Sequence, residues 1–593
     1  MFRSIRNMDP IDEEVEPTIV PESAGNSDKK IQKNGILSYK LKGESQWQTG
    51  KVLCRAGKAT GKYKDQWNVE GESKEVKAVD FARDVTEWHY DTDTPTEQSI
   101  LLTNEDKCIY EAKVKELNSW KKENVYTEVE NEGQHCMSVR WVITPKVING
   151  VPSTKARLCA KGFQEHQDFR TDSPTCSRES VRVVLAAISC KKWVLRSVDV
   201  RSAFLQGSPI ERCVYIKPPP EANTSKIWML NKCVYGLADA PRHFYLRLRD
   251  ELAKLGVTPC KLDMGLFFWY KNEALCGILV CFVDDILWGG TDIFKRSIID
   301  ALGETLQFGT ESSSSFTYIG IELRQVSDHT IVLEQTAFSK KISLIPIPPN
   351  APDEAPVTDQ QQRDLRSAIG KLNWLANSSR PDISYSVSWL AANASKPTFS
   401  DLKFVNKLVA KVQSEPLIIY FPSLDLQSVY IRVYADGSYN SLPKGESQGG
   451  QILFLADKKG NCCPIWWSST KLKRVVRSAL AAETLSMCDG CDMALYLSEL
   501  LLAAFKTRGI EKSTPQIVCV TDSQSLYEAV GSTNLVSDKR LRVEISALRQ
   551  MVNNSQVAFQ WVEGSFQISD PLTKRGASTK LLRTVLESGK LPH

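Results

Sequence analysis

Between residues 277 and 288 the chain is apolar at every position but two: "GILVCFVDDILW" sets Asp284 and Asp285 between two hydrophobic runs. Turns often carry Asp, but usually with Gly, Asn or Pro beside it. Here the neighbours are Val and Ile. The pattern predicts a hairpin of two buried strands with an acidic tip. A second Asp, Asp199, ends the strand-like run "WVLRSVDV", and "SAFLQG" after it reads as the start of a helix. Asp199 therefore falls at the carboxyl edge of a strand, where open α/β layers place their ligands.

The same reading divides the chain. Residues 1–30 are acidic, Pro-containing and poor in aromatics, which predicts disorder. Residues 31–98 show short alternating stretches separated by Gly, a small β module, and "YDTDTPTEQ" closes it as a linker. Residues 99–345 alternate helical and strand patterns without repeats. "IPIPPNAPDEAPVTDQQQ" breaks the pattern, and a mainly helical stretch occupies residues 346–426. Residues 427–593 begin with three strands, "SVYIRVYADGS", "GGQILFLAD" and "CCPIWWSST". A long amphipathic helix over 478–505, a buried strand "QIVCVTD", two helical segments, a strand "VAFQWVEG" and a last helix follow. This order predicts an independent α/β domain.

Composition narrows the class. At 593 residues several domains are expected. The net charge of +5 is too small for a histone-like protein and leaves room for local basic grooves. No apolar run approaches the roughly 20 residues needed to span a bilayer, so no membrane partner is expected, and the N-terminus shows no apolar signal segment. The 16 cysteines follow no framework and suit a reducing compartment. Cys488 and Cys491 in "MCDGCDM" lie on one helical pattern and read as two helix cysteines, with metal or redox use as the alternative. With six histidines, none at zinc spacing from cysteines, a zinc site is not expected.

Asp199, Asp284 and Asp285 brought together would repel one another unless divalent cations neutralised them. Magnesium takes oxygen ligands, usually one or two carboxylates plus substrate phosphates. Two such ions about 4 Å apart serve phosphoryl transfer.

The chain resembles the reverse transcriptase and RNase H region of copia-type LTR retrotransposon Pol polyproteins. The resemblance runs from residue 110 to the C-terminus. Its landmarks, in family order, are "KARLCAKGF", "DSPTCSRESVR", "VDVRSAFLQG", "VYIKPPP", "VYGLADAPRHFY", "FVDDILWGG", "YIGIEL" and "SSRPDISYSV". It implies a multidomain α+β and α/β chain: a right-hand polymerase with fingers, palm and the start of the thumb in 99–345 and a helical thumb or connection in 346–426. An RNase H-like α/β domain would follow, and the small β module would precede. That module faintly resembles the β-barrel ending of some retroelement integrases.

The resemblance also implies roles. Asp199, Asp284 and Asp285 match the metal-binding aspartates of the palm. Phe204 matches the aromatic that blocks a nucleotide 2′-hydroxyl, or is simply a core ring. Lys155 and Arg157 match the fingers segment that meets the incoming triphosphate, or stand on a solvated strand face. Gly320 in "TYIGIEL" matches the primer grip, where it would allow close backbone approach. Asp436, Glu483, Asp522 and Asp570 match the RNase H quartet, with Asp570 expected to open the last helix. Two magnesium ions per site, with manganese as a substitute, an RNA template, a DNA primer, RNA–DNA hybrid and deoxynucleoside triphosphates follow as cofactors and partners. A homodimer is compatible with it, and so is a cytoplasmic, virus-like-particle location with nuclear entry.

Three departures from the family stand out. Phe282 replaces the usual Tyr before "VDD". Asp239 in "LADAPR" replaces a Gln and would repel a triphosphate unless it pointed away or paired with Arg242. "WVEGSFQ" lacks the His that some RNase H domains carry after "WV". Basic clusters at Lys191–Lys192, 242–249, 471–477 and 539–542, with Trp466 and Trp467 among them, suggest phosphate tracking along a duplex. The rival readings are a decayed or domesticated nucleic-acid-binding copy and a nuclease with a scaffold-like palm.

Overall fold

The computed structural model describes residues 36–41, 48–55, 66–71, 76–80, 85–90, 104–148, 151–166, 168–442, 445–505 and 515–592. The expected disorder of residues 1–30 and the linker after Tyr90 lie outside them. The chain divides into two compact units, 1–103 and 104–593. In the first, five strands, β1 (Ile36–Leu41), β2 (Gln48–Arg55), β3 (Gln66–Gly71), β4 (Val76–Asp80) and β5 (Val85–Tyr90), form an antiparallel sheet in the order β4-β3-β2-β1-β5. Tyr39, Val69 and Val79 are its buried side chains among the described residues.

The second unit opens with α1 (Asn104–Lys122) and the hairpin β6 (Val139–Ile148) and β7 (Val151–Ala160). Helix α2 (Arg178–Cys190) starts where Ser177 caps the Ser180 amide, and ten of its thirteen residues are buried. A six-stranded sheet follows, built from β8 (Arg196–Val200), β9 (Thr258–Pro259), β10 (Leu266–Lys271), β11 (Ala274–Phe282), β12 (Asp285–Gly290) and β13 (Phe308–Ser313) in the order β9-β10-β11-β12-β8-β13. The acidic hairpin is formed as the two apolar runs predict, with Phe282 opposite Asp285. Helix α3 (Ala240–Lys254) packs beside it.

"SAFLQG" is not a helix start. It forms one 3-10 turn, Ala203–Gln206, because Gly207 leaves helical geometry and Pro209 follows at once. The Gln206 amide turns back onto the Arg201 carbonyl at 2.6 Å and locks the turn.

Beyond the sheet, β14 (Ser315–Tyr318), β15 (Ile321–Gln325), β16 (Ile331–Glu334) and β17 (Ile419–Phe421) form a second sheet, and three helices pack into a core of their own. These are α4 (Asp359–Ser378), α5 (Ser384–Asn393) and α6 (Phe399–Ser414). A capping box of Thr358 and Gln361 starts α4 where the Pro-rich segment ends.

The last region has β18 (Tyr430–Ser438), β19 (Gln448–Ala456), β20 (Cys462–Lys471), α7 (Ala479–Phe505), β21 (Ile517–Thr521), α8 (Gln524–Gly531), α9 (Lys539–Asn553), β22 (Val557–Trp561) and α10 (Lys580–Ser588). Its sheet runs β20-β19-β18-β21-β22; β19 is antiparallel to its neighbours, while β18, β21 and β22 are parallel. This is the order of strands and helices expected of the α/β domain at the end of the chain. It is not an independent body: one hydrophobic core runs from α2 and the six-stranded sheet through the second sheet into this region. Arg182 of α2, 4% exposed, lies 3.4 Å from the Trp467 ring centroid and donates to the carbonyls of Asn377 and Ser378. No helix among the described residues is long and apolar enough to cross a membrane.

Candidate active sites

Strand pairing places the first set of carboxylates. Asp199 near the end of β8 is the register partner of Asp285 at the start of β12, and Val200 N donates to Asp284 O at 3.1 Å. The hairpin tip is the pair Val283–Asp284, and Val283 has φ +56°. A β-branched residue in the left-handed region is strained, a cost that persists where surrounding structure over-determines it. Burial first, then Asp284 and Asp199, push the Asp285 carboxyl up to about 6. Burial also raises Asp284, against the positive charges of Arg157 and Lys155. The three side chains share one sheet edge, although their oxygens are not all drawn within 4.8 Å of one another. Phe282 is 39% exposed beside the tip.

The hairpin β6–β7 carries Lys155 opposite Thr144 and Arg157 opposite Val142. The Arg157 guanidinium lies 5.5 Å from the Tyr235 ring centroid, and Tyr235 packs 5.0 Å from Phe204. Burial lifts the Tyr235 hydroxyl to about 12, with Arg157 lowering and Glu116 and Asp284 raising it. Ring contacts and charge interactions thus link Lys155, Arg157, Phe204 and Asp284, and the structure adds two residues that sequence reasoning missed. Tyr235 stood within the quoted "VYGLADAPR". Glu116 on α1 gave no local signal; it is 6% exposed and accepts from the Trp120 indole at 3.3 Å.

Gly320 requires a different explanation. It follows Ile319 in the β14–β15 turn, with φ values of +43° and +76°. A Cβ there would meet nothing closer than Trp374 at 3.9 Å. Left-handed backbone, not close approach within the chain, accounts for this glycine.

Asp239 is 1% exposed and pairs with Arg212, not Arg242. Arg212 grips both of its oxygens, at 2.5 and 3.0 Å, and reaches Glu165 at 2.6 Å; Arg242 instead meets Asp172. Burial opposes ionisation, but hydrogen bonds from His243 and Arg212 outweigh it and hold the Asp239 carboxyl well below the usual range. Cys233 and His243 also approach Asp239. Because the Arg212 fork fills both oxygens, this cluster is an ion-pair network rather than a cation site.

The second carboxylate set is tighter. Asp436 on β18 is fully buried, Glu483 stands in the first turns of α7, and Asp522 follows β21. Asp570 opens a 3-10 turn, Asp570–Leu572, and not the last helix; Pro571 follows it, and Gly576 at φ +77° separates the turn from α10. Oxygens of Asp436, Asp522 and Asp570 lie within 4.8 Å of one another. Glu483 accepts from Gly437 N at 3.1 Å. That contact depends on glycine: a Cβ at 437 would sit 2.3 Å from the Ala482 carbonyl. Burial, then Asp436 and Asp522, raise Glu483 to about 9. Gln567 donates to Asp522 at 3.2 Å, and Lys574 reaches Asp436 and Asp570. Neither contact was read from the sequence.

Several basic residues proposed to track phosphate are paired: Arg247 with Glu251, Arg249 with Asp250, Lys471 with Glu446, Arg474 with Glu544. Trp467 is 4% exposed under Arg182 and cannot stack on a base. On α7, Cys491 packs its Sγ 3.4 Å from that of Cys519 on β21, within the core.

Carboxylates gathered at strand ends and on α7, where they repel one another, fit hard divalent cations. The two carboxylate sets thus stand on two different sheets of the chain, one at the acidic hairpin and one at the mixed five-stranded sheet. Residues 123–346 match the reverse transcriptase (RNA-dependent DNA polymerase) family. The chain is 28% identical over 461 residues to a retrovirus-related Pol polyprotein from transposon RE1 of Arabidopsis thaliana, covering 73% of this chain and 30% of that protein. It is 22% identical over 500 residues to the transposon Ty1-DR1 Gag-Pol polyprotein of Saccharomyces cerevisiae, covering 77% and 27%. Among solved structures, the foamy viral protease-reverse transcriptase in complex with RNA/DNA hybrid is similar at 11% identity, TM-score 0.41, covering 90% of this chain and 71% of that one. The chain is similar to the Pol polyproteins of copia-type transposons, and covers 30% of the length of each of the two Arabidopsis thaliana proteins it matches.

Proposed function

We propose that this chain is an RNA-directed DNA polymerase with a fused RNase H, copying element RNA into DNA and cleaving the RNA of the resulting hybrid. The observation that carries the reading is the pair of carboxylate sets, one on the β8/β11/β12 edge and one across β18, α7 and β21, in separate parts of one chain. The six-stranded sheet is the palm, the β6–β7 hairpin belongs to the fingers, and α4–α6 form the thumb or connection. The N-terminal sheet is an integrase-like remnant.

Asp199, Asp284 and Asp285 would hold magnesium, or manganese, at one site, and Asp436, Glu483, Asp522 and Asp570 at the other. Bound there as pairs, such ions supply Lewis acidity and an activated oxygen nucleophile. Arg157 and Lys155 offer positive charge to a triphosphate, for which the planar Arg fork is suited. Phe204, backed by Tyr235, limits the room beside the sugar. Gln567 orients Asp522. The buried Asp239 is neutralised by Arg212, so it presents no charge to a triphosphate, and the main objection to an active polymerase falls away. The enzyme would act in a cytoplasmic virus-like particle with access to the nucleus, as a monomer or homodimer, on RNA template, DNA primer, hybrid and deoxynucleoside triphosphates.

Primer extension on an RNA template with magnesium, with template breakdown followed alongside, tests the reading. Asp284→Asn with Asp285→Asn should abolish synthesis and spare hybrid cleavage; Asp522→Asn should do the reverse. Near-normal extension by the double variant, or undiminished cleavage by Asp522→Asn, removes the corresponding assignment.

A further inference from the structure

Lys574 stands four residues after Asp570, one turn away in chain distance. Its Nζ lies 3.3 Å from Asp436 Oδ1 and 2.8 Å from Asp570 Oδ1. Asp436 is 0% exposed, and its other oxygen accepts from the Thr573 hydroxyl. Burying a carboxylate this deeply is costly unless an opposite charge offsets it. The ammonium supplies that charge. The Lys574 side chain is itself 44% exposed, so it enters from the solvent side and can leave without repacking the core.

Resting on the assignment of these carboxylates to divalent cations, we propose that Lys574 is a tethered counter-ion. It holds Asp436 and Asp570 together in the metal-free protein and would be displaced when a divalent cation binds the quartet. It is a positioning residue, acting through the two aspartates. The consequence is a pair of effects of opposite sign. The ammonium steadies the metal-free fold, because it offsets repulsion among the carboxylates. It also weakens cation binding, because the incoming ion must expel it. A side chain with a packing role alone would change stability equally with and without metal.

The test uses the full chain carrying Asp284→Asn and Asp285→Asn as parent, so that the first carboxylate set contributes no binding, with manganese(II) as the probe. Calorimetric or paramagnetic-resonance titration gives affinity, and thermal melting is recorded in chelator and at saturating manganese. Lys574→Gln should bind manganese about tenfold more tightly, an effect of one charge across a partly solvated contact. It should melt lower than the parent in chelator, with the deficit shrinking at saturating metal. Lys574→Arg should track the parent in both. Unchanged or weaker binding by Lys574→Gln, or a melting deficit equal in both conditions, overturns the proposal. A control with Asp436→Asn and Asp522→Asn separates the two levels: if it binds manganese as the parent does, the metal assignment itself fails and the proposal falls with it.

Discussion

Replacing Phe204 by Val separates a sugar gate from a core ring. Phe204 stands five residues after Asp199 on the 3-10 turn, with its ring 5.0 Å from Tyr235. It is half-buried and packs against the edges of two hydrophobic clusters. Valine fills the space next to the backbone and deletes the ring. Fully buried aromatic truncations to Ala cost about 3–5 kcal/mol, so a half-buried ring cut only to Val should cost roughly 1–2 kcal/mol. Opening space for a 2′-hydroxyl would act on a different quantity. A steric exclusion worth about 3 kcal/mol corresponds to roughly a hundredfold in relative rate. The assay is single-nucleotide primer extension with matched ribo- and deoxynucleoside triphosphates, comparing kcat/KM for the two sugars, with melting temperature measured on the same preparations. The expected outcome is a modest melting loss, retained DNA synthesis and a ribonucleotide preference raised by about two orders of magnitude. Loss of stability in the stated range with an unmoved ratio would show that Phe204 only fills the core.

Three further expectations follow from the geometry. Asp239→Gln strips Arg212 of its fork while leaving it beside Glu165, and should cost about 2–4 kcal/mol in thermal stability and lower primer extension with it. Because the Asp239 carboxyl is held below its ordinary 3.8, its contribution is present above that value and lost as pH falls through the folded-state value. The melting gap between parent and variant should therefore hold constant from neutrality to about pH 4 and close only below it; a gap already closed near pH 6 would contradict this. Gly437→Ala puts a methyl 2.3 Å from the Ala482 carbonyl, so α7 must shift and take Glu483 with it. Hybrid cleavage should fall by about tenfold or more with extension retained, and equal loss of both would point to global misfolding. Val283→Gly relieves the left-handed backbone at the acidic tip and should add about 1 kcal/mol of stability while slowing extension through a looser Asp284; no change in either measurement would mean the strain has no role.

Much of the scaffold was legible because its signals are local. Two apolar runs meeting at the Asp284–Asp285 pair mark a hairpin of buried strands with its tip at the carboxylates. Helix α7 and the three strands before it appear where periodicity placed them. The misread elements were also local in kind but decided by neighbours. "SAFLQG" carries a helical composition, yet Gly207 and Pro209 and the Gln206–Arg201 bond end it after one turn. Asp570 was placed on a helix because the turn and α10 follow so closely, and Gly576 divides them.

The sequence by itself determined which carboxylates stand at strand ends, because residue type, chain order and backbone period are properties of short segments. What those carboxylates touch was decided only by the tertiary structure. Asp239 met Arg212, 27 positions away, rather than the nearer Arg242. Asp436 received Lys574 from 138 positions downstream. Trp467, which looked available to nucleic acid, lies under Arg182 in a core shared across regions that the composition divides. Periodicity reports the face a residue turns to the interior, but not which distant charge or ring is packed there. That choice belongs to the assembled core, where an unpaired charge is costly enough to select its partner across the whole chain.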